Sequence, residues 1–218
     1  MTEINFRASS IARLMTEPKT KSEGPLSVGA KTYIRELAAQ EILGIDFVVS
    51  SKAMTKGIEC ENQAIELLNN VRGVWLTKNT ERRTQHGITG ECDLYEPTAK
   101  RGYDIKCSWS AATFPILPMD CVNSNYEWQM RAYLMLWDAS EWSVDYCLVD
   151  TPEHLIGYEP IEMHRFWHIP EHHRVTSWLI TRDAEKEQRM IDKVGHAREY
   201  FAQVIKDFQE THSINQGE

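Results

Sequence analysis

The residues best suited to chemistry lie between positions 90 and 110. Asp93 falls in one short strand-like segment, and Asp104-Ile105-Lys106 falls in the next, with a polar turn between them. Side chains at positions i and i+2 of a strand share a face, so Asp104 and Lys106 should project together. An antiparallel hairpin would bring Asp93 beside them. Two carboxylates and an ammonium group on one face can bind a hard divalent cation and a phosphodiester, which is typical of metal-dependent nucleases.

An acidic-x-lysine triplet is weak evidence by itself, because about one or two should occur by chance in a chain of this composition. Glu17-Pro18-Lys19 is a second such triplet, but it lies in a segment predicted to be a loop. For Asp104 and Lys106 the ordinary alternative is a salt bridge on an exposed strand face. Their strand context and the nearby Asp93 favour the metal site.

Glu61 is the candidate third carboxylate. A helix is predicted over 58–70, and Glu61 falls on its apolar stripe with Ile58, Ile65 and Leu68. A carboxylate on the buried side of a helix must be paired, protonated or bound to a metal. The ordinary alternative is an ion pair. Beside an Asp/Asp/Lys cluster, the metal-site interpretation is the better one.

Gln129 stands out in an apolar segment. A buried helix is predicted over 126–137, and Tyr133 follows Gln129 by one turn. Two interpretations remain open for this amide. It is either a core side chain bonded to backbone, or part of a Gln–Tyr pair that orients the site or contacts a phosphate.

Arg7, Ser9 and Ser10 precede a short amphipathic segment near the N-terminus. Hydroxyl groups at such a position commonly cap a helix. A helix N-terminus that carries hydroxyls and an arginine can also bind a phosphate group. The sequence leaves both interpretations open.

Composition fits one globular domain with a sizeable core, since 42% of the 218 residues are hydrophobic. The net charge of −8 argues against a simple DNA-coating protein, which would be basic. It does not argue against a nuclease, because a local basic patch can still bind phosphates. The candidates for that patch are Lys19, Lys21, Arg72, Arg82, Arg83, Lys100 and Arg101.

The five cysteines are odd in number and never form a Cys-x-x-Cys pair. This favours reduced thiols in the cytosol and argues against a zinc ribbon or an iron–sulfur cluster. His164 and His168 are interpreted as loop or surface residues rather than zinc ligands. No apolar run is long enough to span a membrane, and the N-terminus lacks the apolar segment of a secretory signal.

The order of predicted elements indicates a mixed α/β domain on a central sheet flanked by helices. Helices are predicted over 30–43, 58–70, 126–137 and from Asp183 to about 209. Strands are predicted near 74–82, 88–95, 102–108, 142–149 and 173–181. We expect a single domain with N-terminal helices over 1–70, a catalytic sheet with helices over 71–181, and a C-terminal helix over about 183–210.

Several segments, in one order along the chain, resemble the lambda-exonuclease type of viral recombinase (YqaJ-like) in the PD-(D/E)XK nuclease superfamily. The matching segments are FRASSIARLM, KGIECENQAIELL, GECDLY, YDIKCS, WQMRAYLMLW and LITRDAEKEQRM. Two positions depart from the pattern, since many members have glutamate at Asp104 and some have proline at Glu91. The resemblance implies a PD-(D/E)XK core, with a mixed sheet between helices.

For the reactive centre, the resemblance implies that Asp93, Asp104 and the Ile105 carbonyl bind Mg²⁺, with Mn²⁺ able to substitute. Glu61 would complete the metal site directly or through water. Lys106 would orient the attacking water and favour its deprotonated form.

Three further residues receive roles from the resemblance. Gln129 would support the site, with Tyr133 beside it. Arg7 and Ser9 would hold a terminal 5′-phosphate of the DNA, although Arg7 lies closer to the serine than the corresponding arginine of the family.

The activity implied is 5′→3′ digestion of one strand of linear duplex DNA, leaving 3′ overhangs for recombination. A homotrimer threaded by DNA, a single-strand annealing protein as partner, and the cytoplasm of a bacterial host are implied as well. Two alternatives stay open: a structure- or sequence-selective endonuclease of the same fold, and a non-catalytic DNA-binding module. Retention of Glu61, Asp93, Asp104 and Lys106 argues against the last.

Overall fold

The computed structural model describes residues 4–214. The strands are β1 (Phe6–Arg7), β2 (Arg82–Gln85), β3 (Ile88–Glu91), β4 (Leu94–Glu96), β5 (Arg101–Cys107), β6 (Glu141–Cys147) and β7 (Val175–Thr181). The α-helices are α1 (Val28–Leu43), α2 (Lys52–Glu59), α3 (Glu61–Arg72), α4 (Ser124–Leu136), α5 (Glu153–Ile156) and α6 (Ala184–Ile214). Short 3₁₀ helices occur at Ala8–Arg13, Lys21–Glu23, Ala111–Thr113, Pro118–Cys121, Ile161–His164 and Glu171–His173.

The strands form two mixed sheets where the sequence predicts one. The larger sheet has the order β4-β5-β6-β7, in which β5 and β6 are parallel and the two outer pairs are antiparallel. The smaller sheet has the order β1-β3-β2, with β1 parallel and β2 antiparallel to β3. The mixed α/β class is confirmed, and helices flank both sheets.

The division into two sheets occurs inside the segment predicted as one strand over 88–95. The carbonyl of Cys92 accepts the Asn79 side-chain amide at 3.2 Å, and the carbonyl of Asp93 accepts the Asn79 backbone N–H at 2.7 Å. These bonds replace the ladder at that point, so the chain leaves β3 and enters β4 in the other sheet.

The prediction of a strand over 74–82 is wrong. The Asn69 side chain exchanges two hydrogen bonds with the backbone of Leu76, at 2.8 and 3.1 Å. A side chain of α3 therefore satisfies backbone groups that a neighbouring strand would otherwise pair, and the next strand begins only at β2.

Two helices replace the one predicted over 58–70. Cys60, with φ −98° and ψ 3°, separates α2 from α3, and the Ser51 hydroxyl caps α2 at the Met54 N–H. The helical period does not continue across this break. As a result Ile58 is 77% exposed, and it shares no buried stripe with Ile65 and Leu68.

The other predicted helices are confirmed, and their ends have clear causes. The Ser27 hydroxyl accepts the Ala30 N–H at 3.1 Å and starts α1 two residues early, while Gly44 ends it with φ 65°. The Asp183 carboxylate accepts the Lys186 N–H at the start of α6. Within residues 4–214, no helix combines the length and apolarity needed to cross a bilayer.

Helix α4 is buried along almost its whole length, as its composition predicts. Every residue from 129 to 136 is buried. The helix packs against the Ala8–Arg13 segment, β3 and β6, so its side chains reach both sheets. This central position lets α4 direct polar groups at the end of β3 and the middle of β5.

Gly102→Ala should destabilise the fold, because a Cβ at this position would lie 2.2 Å from the buried Trp142 ring. We expect the free energy of unfolding to fall by about 1–3 kcal/mol or more in urea titrations. Gly195→Ala is the matched control, since a Cβ there meets no atom within 4 Å. In the interior of α6 it should raise stability by about 0.5–1 kcal/mol. Equal stabilities of the two variants would refute this packing.

Candidate active site

The β4–β5 hairpin brings the predicted carboxylates together. Leu94 pairs with Tyr103 in antiparallel register, so Asp93 falls level with Asp104. The Asp93 Oδ2 accepts the Ile105 backbone N–H at 2.7 Å. The Lys106 Nζ lies 2.7 Å from the Asp104 Oδ2. The predicted hairpin and the shared face of Asp104 and Lys106 are both confirmed as geometry.

Burial sets the electrostatics of these three groups. It raises the pKa of Asp93 well above its usual range, and the nearby charge of Asp104 raises it further. Burial also raises the pKa of Asp104, which is 2% exposed, although the Lys106 ammonium opposes that shift. For Lys106, burial lowers the pKa, but the two carboxylates outweigh it, and the net shift is upward. The lysine is therefore a persistent cation.

Gln129 connects α4 to the carboxylates. Its Nε2 donates to the Asp104 Oδ1 and to the Tyr133 hydroxyl oxygen, both at 3.2 Å. Tyr133 in turn donates to the Glu91 carbonyl at 3.0 Å. Of the two interpretations that the sequence leaves open, the structure shows the Gln–Tyr pair. It forms a relay from the end of β3 to the carboxylate on β5.

Glu61 lines the same cavity as Asp93 and Asp104, but it does so for a different reason from the one the sequence predicts. It is the first residue of α3, its side chain is 26% exposed, and its Oε2 lies 2.5 Å from the Lys78 Nζ. The buried-stripe argument is therefore wrong, because the stripe depended on Ile58. Lys78 is a site residue that the sequence analysis missed, since its segment was predicted to be a strand.

A cavity of about 750 Å³ is lined by the two aspartates, Lys106, Gln129, Glu61 and Lys78. Its ionisable wall includes both carboxylates, Lys106 and the Glu61–Lys78 pair, and its aromatic wall includes Trp109, Tyr126 and Tyr146. The Lys106 ammonium lies 4.6 Å from the centre of the Tyr126 ring, a cation–π contact. The cavity therefore combines negative, positive and apolar surfaces.

The donor set fits a hard cation such as Mg²⁺. Within residues 4–214, no three His, Cys, Asp or Glu side chains lie close enough to hold a metal by themselves, and the Glu61 carboxylate pairs with Lys78. Two carboxylates remain, and the Ile105 carbonyl points to the same strand edge as its N–H, towards Asp93. Mg²⁺ commonly takes one or two carboxylates and keeps several waters. Burial raises the pKa of the neighbouring Cys107 thiol to about 12, and a soft sulfur ligand does not suit a hard cation such as Mg²⁺.

Arg7 and Ser9 line a second cavity of about 350 Å³, together with Arg82. The helix-capping interpretation of the serine hydroxyls is wrong. Ser9 and Ser10 lie inside the 3₁₀ helix, the residue at its N-cap is Arg7, and no side chain caps it. Tyr133 lines this cavity too. Since Tyr133 also binds Gln129, one relay joins the two cavities.

The predicted basic patch does not form a single free surface. Five of its seven candidates lie in ion pairs with acidic side chains. These pairs are Arg72–Asp145, Arg82–Glu91, Arg83–Glu81, Lys100–Asp138 and Arg101–Glu141. Arg72 serves the fold, because its partner is a fully buried carboxylate on β6.

Two buried polar residues were misjudged or missed. His164, interpreted as a loop or surface residue, is fully buried and contacts Thr151 at 3.1 Å and Glu159 at 3.2 Å. Lys56 is also fully buried, and its Nζ donates to the carbonyls of Ser108 and Trp109. Burial lowers the pKa of this amine to about 8. No periodic pattern in the sequence marks either residue, since the hydrogen bonds of Lys56 and His164 reach other segments of the chain.

Comparison with solved structures identifies the family. A phage-related exonuclease from Haemophilus somnus 129PT is 34% identical, with a TM-score of 0.88 over 95% of this chain and 97% of that chain. The chain belongs to the lambda-exonuclease-type (YqaJ-like) family of PD-(D/E)XK nucleases. LHK-Exo, an alkaline exonuclease from Laribacter hongkongensis, shares the fold at 16% identity, with a TM-score of 0.70 over 96% of this chain and 93% of that chain. Neither the family models nor the curated proteins gave a match.

Asp93→Asn should stabilise the fold in EDTA. With a raised folded pKa, wild-type Asp93 costs stability as pH rises from roughly 4 towards neutrality, because the unfolded carboxyl ionises first. The variant lacks this cost, so its advantage should grow over that interval and then stay level. At pH 8 we expect roughly 1 kcal/mol or more, or about 2–4 °C in melting temperature per kcal/mol.

Asp207→Asn, at an exposed position of α6, is the control for this measurement and should show no such trend. An Asp93→Asn protein that is less stable than wild type at pH 8 would contradict the electrostatic account.

Proposed function

We propose that this protein is a Mg²⁺-dependent 5′→3′ exonuclease on linear double-stranded DNA that leaves 3′ single-stranded overhangs. The observation that carries the proposal is the Asp93–Asp104–Lys106 constellation in a chain of this nuclease family. Its products would enter homologous recombination by strand annealing. The arrangement of the side chains supports each step of the chemistry as follows.

Asp93, Asp104 and the Ile105 carbonyl would hold Mg²⁺, with Mn²⁺ as a substitute. When bound, the cation supplies charge stabilisation at the scissile phosphate and lowers the pKa of a coordinated water. Holding two carboxylates close together in a buried place costs stability. That cost is reasonable if a divalent cation neutralises the pair in the working enzyme.

Lys106 acts as a cation and a hydrogen-bond donor, because its pKa is raised and it keeps its proton. From its position beside Asp104 it would orient the attacking water and favour its deprotonated form. It would also stabilise the charge that develops on the phosphorane oxygens. Lys106 would not act as a general base, since an ammonium group that keeps its proton cannot accept another.

Gln129 fixes the rotamer of Asp104 through one of its two amide hydrogens and is fixed itself by Tyr133. Glu61 would act on the metal through an intervening water. Its partner Lys78 adds a second ammonium group at the cavity, where it would bind a phosphate of the DNA strand.

Arg7 and Ser9 would bind the terminal 5′-phosphate. Their cavity is separate from the metal site, and the hydrogen bond between Tyr133 at this cavity and Gln129 at the metal site links the two. A strand that enters with its 5′ end first would then place a phosphodiester near Lys106. This arrangement supports the proposed direction of digestion.

Assembly and context follow from the same family. We propose a homotrimer that encloses the DNA, a single-strand annealing protein as partner, and action in the cytoplasm of a bacterial host on behalf of a phage or prophage. The 34% identical relative is itself phage-related, which supports this origin.

Lys106→Ala should reduce digestion of linear, 5′-phosphorylated duplex DNA in Mg²⁺ by about 100-fold or more. That is the typical loss when one donor to the transition-state charge is removed. Lys206→Ala, at an exposed position of α6, is the control and should keep full activity. Release of acid-soluble nucleotides measures the rates, and full activity of Lys106→Ala would rule out the site.

Covalently closed circular DNA separates the exonuclease from the endonuclease alternative. Wild-type protein should leave it intact while degrading the same plasmid after linearisation. Nicking or cutting of the closed circle, lost in Lys106→Ala, would establish an endonuclease instead.

Arg7→Ala should abolish the preference for a 5′-phosphate. Wild type should digest a 5′-phosphorylated duplex faster than a 5′-hydroxyl duplex, because the guanidinium pairs with the terminal charge. In the variant the two rates should become equal, with little change for the hydroxyl substrate. Arg35→Ala, on the exposed side of α1, should retain the wild-type ratio, and retention in Arg7→Ala would displace the 5′-phosphate site from this cavity.

A further inference from the structure

Trp109 occupies a distinctive place beside the proposed metal site. It follows β5 by two residues, is half-buried, and lines the same cavity as Asp104 and Lys106. No step of the proposed chemistry uses this ring. The groups around it, however, hold it in one orientation from two sides.

The backbone of Trp109 is fixed by three buried side chains. Its carbonyl accepts hydrogen bonds from Thr151 at 2.9 Å and Lys56 at 3.1 Å, and the Nδ1 of His164 lies 3.2 Å away. All three side chains are fully buried. Burying an amine and an imidazole is unfavourable unless they form hydrogen bonds. Here three buried polar side chains converge on one carbonyl oxygen.

The indole is fixed as well. Its N–H donates to both carboxylate oxygens of Glu159, at 3.0 and 3.1 Å. Glu159 in turn contacts the Nε2 of His164 at 3.2 Å, and the His164 ring meets the indole edge-on with centroids 5.3 Å apart. The ring plane is therefore set by the hydrogen bonds at its nitrogen and by the His164 contact at its edge, and the residue lies in the wall of the cavity.

The remaining cavity wall has the character of a nucleobase site. Met54 and Ile58 from α2 line the same cavity, and they are 54% and 77% exposed. A phosphodiester and a cation need charged and polar partners, and apolar groups do nothing for them. A base attached to the same nucleotide needs an apolar surface and an aromatic face.

We propose that Trp109 is a base-stacking residue that binds the nucleobase next to the scissile phosphate, with Lys56, Glu159 and His164 as its positioning residues. The inference rests on the proposed nuclease function and names how its substrate is held. Stacking suits an enzyme that acts on every nucleotide in turn, because each base presents a π face and none is selected by hydrogen bonds.

The test compares duplexes that carry a normal nucleotide or a tetrahydrofuran abasic residue at either position flanking the first scissile phosphate. If one of the two flanking bases stacks on Trp109, wild type should cleave the duplex that lacks that base about tenfold or more slowly than the normal duplex. This is the factor expected for loss of one stacked base. Trp109→Ala should be slowed to a similar degree on the normal substrate, with little further loss on the abasic one. Trp109→Phe should recover most of the discrimination.

Trp167→Ala is the matched control, because Trp167 is 81% exposed and does not line the cavity. It should discriminate as wild type does. Glu159→Ala tests the positioning, and it should weaken the discrimination while Trp109 is still present. Circular dichroism establishes that each variant is folded, and Trp109→Leu, which keeps apolar volume but has no aromatic face, serves as the test variant if Trp109→Ala is not.

A second readout separates this inference from the proposed activity. With Ca²⁺ in place of Mg²⁺ to prevent cleavage, the affinities of wild type for normal and abasic duplexes can be compared by fluorescence anisotropy. A ratio that collapses in Trp109→Ala supports the stacking site even if no cleavage occurs in Mg²⁺. Equal discrimination by wild type and Trp109→Ala, in both rate and affinity, would overturn it.

Discussion

The hydrogen bond from the Ile105 N–H to the Asp93 carboxylate is the constraint on which the site depends. It holds one carboxylate just before the start of β4, level with a second on β5. Burial and the charge of Asp104 there raise the pKa of Asp93. The arrangement is unfavourable for the protein alone. Lys106 relieves part of the repulsion by pairing with Asp104. The negative charge that is left uncompensated gives the site an electrostatic potential suited to a divalent cation.

The two cavities and the helix between them extend from that constraint. Helix α4 places Gln129 against Asp104 and Tyr133 against the Glu91 carbonyl, so it binds the middle of β5 and the end of β3, two strands of different sheets. Because Tyr133 also lines the cavity of Arg7 and Ser9, a shift of α4 would disturb both places together. The Trp109 network provides a comparable support on the other wall, built from residues far apart in the chain.

Local patterns predicted the hairpin, α1, α4, β5, β6 and the shared face of Asp104 and Lys106. They succeeded because strand alternation and helix capping act over a few residues. The single helix over 58–70 was wrong, since the break at Cys60 leaves no mark in the apolar pattern. The division at Cys92 and Asp93 depends on bonds from Asn79, and the burial of Lys56 and His164 depends on partners about 50 and 13 residues away. Such long-range bonds lie outside any periodic pattern.

Isothermal titration of Mg²⁺ into the DNA-free protein tests the central claim most directly. Wild type should bind the ion saturably and should release protons near neutral pH, because cation binding favours the ionised carboxylates. Asp104→Asn should lose this binding, while Asp207→Asn should keep it. Equal Mg²⁺ binding by wild type and Asp104→Asn, without proton release, would contradict the account of Asp93 and Asp104 as a metal-binding pair.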